Sequence, residues 1–70
     1  MVTRMQTLRR QVIVGGVVVA CGRVWGSHAY AVVTGEPGAW SVVSTHTSSA
    51  AALMAWGSVV VATGGDPGWL

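Results

Sequence analysis

The sequence predicts a small, β-rich α+β fold, and three observations carry that expectation. Seventy residues are enough for one domain at most. Fourteen of them are valine, against three leucines, one isoleucine and no phenylalanine. Valine's branched Cβ restricts χ1 in a way that suits strands better than helices. The Val-rich runs are also punctuated by Gly15-Gly16 and by Gly35-Glu36-Pro37-Gly38, the residue types that tight turns use. Together these give Val-rich hairpins at about 11–21, 29–45 and 58–63, with one short helix near 48–56. The fold expected in water is of marginal stability, because a chain this short buries only about 60% of its unfolded surface. The alternative, in contact with a membrane, is a membrane-associated helical chain.

Residues 1–10 contain Met5, Gln6, Leu8 and Arg9, good helix formers, and predict a short polar helical start. Gly15-Gly16 then divides the apolar run into two segments, 11–14 and 17–21. In water the pair favours a turn between two strands, whereas in a membrane glycine is tolerated within a helix. Ala29–Thr34 and Ala39–Thr45 flank the Gly-Glu-Pro-Gly link and predict a second hairpin. Ser48 and Ser49 precede Ala50-Ala51-Ala52-Leu53-Met54-Ala55-Trp56, a helix start followed by a favourable run, with Gly57 as the expected stop. Ser58–Thr63 reads as a further Val-rich strand, and Gly64–Gly68 as a turn or chain end. The uncharged span 42–63 is long enough to cross a bilayer, although it includes His46 and only one leucine.

Trp25, Trp40, Trp56 and Trp69 are spaced by 15, 16 and 13 residues, and Trp-Gly-Ser occurs twice. Such echoes hint at a strand-turn repeat. A restricted residue alphabet produces the same echoes by chance, and that reading is the stronger one.

Charge is scarce. Four arginines, one glutamate and one aspartate make 9% of the chain, for a net charge of +2, far below the roughly 25–35% of a well-solvated surface. Three of the arginines lie in the first ten residues, so no basic patch is spread over a fold and nucleic-acid binding is not expected. The single cysteine, Cys21, cannot form an internal disulfide. Lysine, asparagine and phenylalanine are absent. Their codons are A- or T-rich, while those of the abundant residues are rich in G and T. This skew supports an alternative reading of the chain as a translated reading frame with no selected function, cytoplasmic or not stably expressed.

The first 21 residues combine Arg9-Arg10, the apolar run Val12–Val19 and Val18-Val19-Ala20-Cys21. They resemble a bacterial lipoprotein signal peptide, in which basic residues hold the start on the cytoplasmic side and small residues before the cysteine fit the peptidase. Val18 stands where that family most often has leucine. The resemblance implies lipidation of Cys21 and a membrane or cell-envelope location, with residues 1–21 as a signal segment and 22–70 as a single small region. Arg9-Arg10-Gln11-Val12-Ile13 also resembles a twin-arginine export motif, with Leu8 where that family prefers serine or threonine. Ser27-His28-Ala29 offers an ordinary signal-peptidase cut, weakened by Arg23, which interrupts the apolar run.

Other chemistry finds little to stand on. Gln11-Val-Ile-Val-Gly-Gly looks like the first strand and turn of a dinucleotide-binding fold, but Val17 occupies the place of the second glycine and Val17–Val19 do not favour the helix that must follow. This leaves a fragment of such a protein as the least favoured reading. Cys21, His28 and His46 match no compact metal-ligand spacing. Serine, histidine and aspartate are all present, yet no G-x-S-x-G elbow occurs. Glu36 and Asp66 each adjoin a proline, which suits turns rather than paired acid–base work. The four tryptophans fit a core or a membrane interface better than a base-stacking platform. The expectation is therefore a non-catalytic chain without cofactor, metal or small-molecule substrate, whose partners are a membrane surface or, through Val-rich strand edges, another copy of itself.

Overall fold

The computed structural model describes residues 4–68. Four strands run in chain order: β1 (Met5–Val14), β2 (Val17–Val24), β3 (Tyr30–Gly35) and β4 (Ser41–His46). Each pairs antiparallel with the next, so the sheet is a simple meander with β1 and β4 at its edges. One helix, α1 (Ser49–Ala62), follows and lies across one face. This is the β-rich α+β fold that the sequence predicts.

The first hairpin closes through two residues, with Val14 paired to Val17. Gly15 and Gly16 have φ of +58° and +81°, the left-handed pair of a type I′ turn, whose twist matches that of the strands it joins. The second expected hairpin is also present. Its link from Glu36 is tightened by the Ala39 N–H donating to the Glu36 carbonyl at 2.9 Å.

Alternation along the strands sorts the core into two layers. Val19, Cys21 and Val32 point to the helix side, where they meet Trp56 and Val60, with Val12, Val14, Leu53 and Val59 at the margin. Ala20, Ala31 and Val33 point the other way and are covered by Trp40, with Met5, Val18 and Val24 around them. Trp56 is 1% exposed, and its indole N–H donates to the Val19 carbonyl at 2.9 Å. Two tryptophans thus supply, one on each face, the volume that leucine and phenylalanine would usually provide.

Three expectations need correction. Met5–Arg10 are strand, not the start of a helix. Two helical turns in isolation are unstable, whereas pairing with β2 from Met5↔Val24 onward satisfies the same backbone groups. Residues 1–3 of that expected helix lie outside the described residues.

The third Val-rich strand, 58–63, does not exist. The helix runs through it to Ala62, and Gly57 is not its stop but a buried residue within it. Val60 lies four residues beyond Trp56 and is fully buried against the same cluster, so burial on the 3.6-residue period overrides valine's strand preference. The real stop is Gly64, at φ +88°. Its N–H donates to Val61 at 3.0 Å and that of Gly65 to Val60 at 2.8 Å, the two bonds of a Schellman motif. At the other end Ser48 caps the helix, its Oγ accepting from the Ala51 N–H at 3.1 Å.

The span 42–63 is divided between β4 and α1 rather than forming one helix. Among the described residues no helix is long and apolar enough to cross a membrane. The tryptophan echoes do not mark repeated units either. Trp25 sits in the β2–β3 loop, Trp40 beside β4 and Trp56 in the helix.

Candidate functional site

Cys21, the residue to which the N-terminal resemblance points, lies in the middle of β2. It is paired to Arg10 on one side and Val32 on the other, and it is buried in the helix-side layer. Burial pushes its thiol above the usual range. A backbone hydrogen bond from Arg10 and the charges of Arg10 and Arg9 pull the other way but do not prevail. A buried, protonated thiol is a poor nucleophile. In the folded chain both Cys21 and the bond before it are sealed between neighbouring strands.

The arginines are the feature with a spatial pattern. Arg9 and Arg10 belong to β1 and Arg23 to β2, while Arg4 just precedes β1. Arg4 stacks its guanidinium 5.4 Å from the centre of the Trp25 ring. The irregularity between Leu8 and Arg10 re-aims the chain, and Arg9 lies 5.8 Å from the Tyr30 ring centre. Arg23 donates from Nε to the Ser27 carbonyl at 3.2 Å, and its Nη2 lies 3.3 Å from His28 Nδ1. Among the described residues none of the four meets a carboxylate. The two acids are elsewhere: Glu36 in the β3–β4 link and Asp66 beyond the helix, where its Oδ1 accepts from the Gly68 N–H.

Two open clefts carry this positive charge. One, of about 330 Å³, is lined by Gln6, Arg23, Trp25, Gly26, Ser27 and His28. The other, of about 460 Å³, lies between Arg9 and Arg10 and the first turn of the helix at Ser49, Ala50 and Leu53. Trp25 is 58% exposed at the first of them.

The remaining sequence candidates stay apart. His28 belongs to the Arg23 cluster. His46 shares a hydrogen bond with Ser44, Oγ to Nε2 at 2.9 Å, across one i, i+2 step of a single strand face. Glu36, at the opposite end of β4, is about 20 Å away by strand rise. The pair therefore has no carboxylate from that quarter to orient the imidazole as a triad requires. Among the described residues no group of three or more His, Cys, Asp or Glu side chains could hold a metal ion. Gly15-Gly16 leads into β2 rather than into a helix, so the first strand and turn do not begin a βαβ unit. The Arg–aromatic stacks were not legible in the sequence. Arg9 and Tyr30 are brought together only by two successive strand registers and the irregularity beside Arg10. The Ser44–His46 spacing was legible, because residues two apart share a strand face.

The chain matches no family model, and no curated protein and no solved structure is significantly similar to it.

Proposed function

We propose that this is a small non-catalytic protein that acts at an anionic membrane or cell-envelope surface. The observation that carries the reading is charge segregation. All four arginines sit on or beside the β1–β2 hairpin, Arg4 and Arg23 of them next to exposed Trp25, while both carboxylates lie outside it. Arginines near an anionic bilayer contribute about 1 kcal/mol each. Tryptophan is the side chain that settles at the headgroup level. Four such charges give about 4 kcal/mol, a dissociation constant near the millimolar range, which insertion of the Trp25 ring strengthens.

Lipidation of Cys21 is a covalent route to the same surface, and it excludes the first route. Cleavage before Cys21 removes Arg4, Arg9, Arg10 and all of β1, and it requires capture of the chain before β2 is sealed. Intact-mass measurement of the native product separates the two. For the uncleaved chain the test is co-sedimentation with vesicles. Binding to vesicles containing phosphatidylglycerol is expected, with loss in high salt and weakening in Arg9→Ala/Arg10→Ala. Equal binding to neutral phosphatidylcholine vesicles, or none to either, overturns the reading.

A further inference from the structure

The two edges of the sheet are built differently. β1 is long, but its register is broken between Met5 and Thr7 and again between Leu8 and Arg10. It carries Arg9 and Arg10. Irregularity and charge are devices by which sheets discourage edge-to-edge pairing. Two β1 edges brought together would also set one arginine pair against another.

β4 has little of this protection. Its sequence, Ser-Val-Val-Ser-Thr-His, contains no arginine, carboxylate, proline or glycine. Val42 and Val43 are 45% and 49% exposed. One register irregularity falls within β4, where Val43 is the extra residue between the pairs Val33↔Val42 and Val32↔Ser44, against two in β1. Among the described residues, no backbone group of 41–46 hydrogen-bonds to anything beyond the ladder to β3. An edge whose N–H and C=O groups are unpaired is a template for another strand. No charge on it opposes an identical strand.

We infer that β4 pairs antiparallel with β4 of a second copy of this chain, joining two four-stranded sheets into one of eight strands. A two-fold axis through the middle of the strand makes the contact isologous and closed. Face parity restricts the register. Val42 pairs with Val33 and Thr45 with Ala31, and both Val33 and Ala31 belong to the layer away from the helix. Val42 opposite Thr45 of the second copy keeps like faces together, as a register shifted by one residue does not. This register puts both helices on the same side of the joined sheet. The inference is independent of the membrane reading, which concerns the opposite edge.

The test is sedimentation equilibrium of the full chain, paired with amide hydrogen exchange. A concentration-dependent rise from 7.2 kDa to twice that mass is expected, with amide protection in 42–46 rising in parallel. Val43→Lys, at an exposed position, should return the mass to that of the monomer while the circular dichroism is kept. Leu8→Lys on β1 should leave the dimer in place. A monomer at millimolar concentration overturns the inference. Growth beyond the dimer, which signals β4-to-β1 pairing, overturns it as well. Should Val43→Lys fail to fold, the exchange series on the unaltered chain decides: β4 amides whose protection does not depend on concentration refute the pairing.

Discussion

Trp56 joins the helix to the sheet, and replacing it by phenylalanine measures that joint. The side chain is buried at the centre of the helix-side layer and donates to the Val19 carbonyl. Burying a tryptophan removes roughly 150–250 Å² from water, worth about 4–6 kcal/mol at 25 cal/mol per Å². A 70-residue chain has a total stability of only about 3.5–10 kcal/mol at 0.05–0.15 kcal/mol per residue. Trp56→Ala is therefore expected to leave much of the population unfolded. Trp56→Phe is the graded version. It loses the hydrogen bond, about 0.5–1.5 kcal/mol, and leaves a void beside Val60 that costs about 1–2 kcal/mol more. The sum of about 2–3 kcal/mol lowers Tm by roughly 10–20 °C in a domain of this size. Far-UV circular dichroism during thermal and urea unfolding reads the change. The control is Trp25→Phe at an exposed ring, expected to stay within about 0.5 kcal/mol of the unaltered chain. If Trp56→Phe costs no more than Trp25→Phe, the helix does not pack as described and the layer built around Trp56 is wrong.

Three further outcomes test the sheet. A Cβ added at Gly22 would run into the Thr7 carbonyl oxygen and lie 2.9 Å from Leu8 Cα. Gly22→Ala is thus expected to force β1 away from β2, at a cost above about 2 kcal/mol, seen as a lower urea midpoint. Unchanged stability would mean that the strands do not approach so closely there. The Cys21 thiol should alkylate slowly in native buffer and rapidly in urea. Its acidity also sets a direction for stability. Burial raises the thiol above its usual value, so above about pH 8.5 the unfolded chain releases a proton that the folded chain keeps. Stability is fully present below that pH and falls as pH rises through the interval between the two values. Cys21→Ala should remove this part of the slope, and an identical pH profile in that variant would contradict the burial.

Much of the architecture was legible because it rests on local chemistry. Gly15-Gly16 between two valine runs needs no tertiary information to be read as a hairpin, since both positions require positive φ. Gly35–Gly38 marks the second hairpin in the same way, and Ser48 announces the helix by its capping oxygen. The boundary errors arose where burial overrode local preference. Val59-Val60-Val61 favours a strand by residue type, yet Val60 is held in the helix by its place one turn from Trp56 and by the layer that it fills. Met5–Arg10 favours a helix by residue type, yet the edge of β2 offered a ladder.

The candidate surface was only half legible. The sequence alone determined that positive charge is concentrated near the start of the chain, that Cys21 has no partner for a disulfide, and that turns of fixed type separate Val-rich segments. Only the tertiary structure decided that Arg4 and Arg9 stack on Trp25 and Tyr30, that Cys21 is enclosed, and that β4 is left as an uncharged edge. The physical reason is range. Turn geometry and capping depend on neighbours within a few residues, whereas stacking, enclosure and edge status depend on which strands lie side by side and in what register, which the ladders from β1 to β4 and the two layers under Trp56 and Trp40 establish.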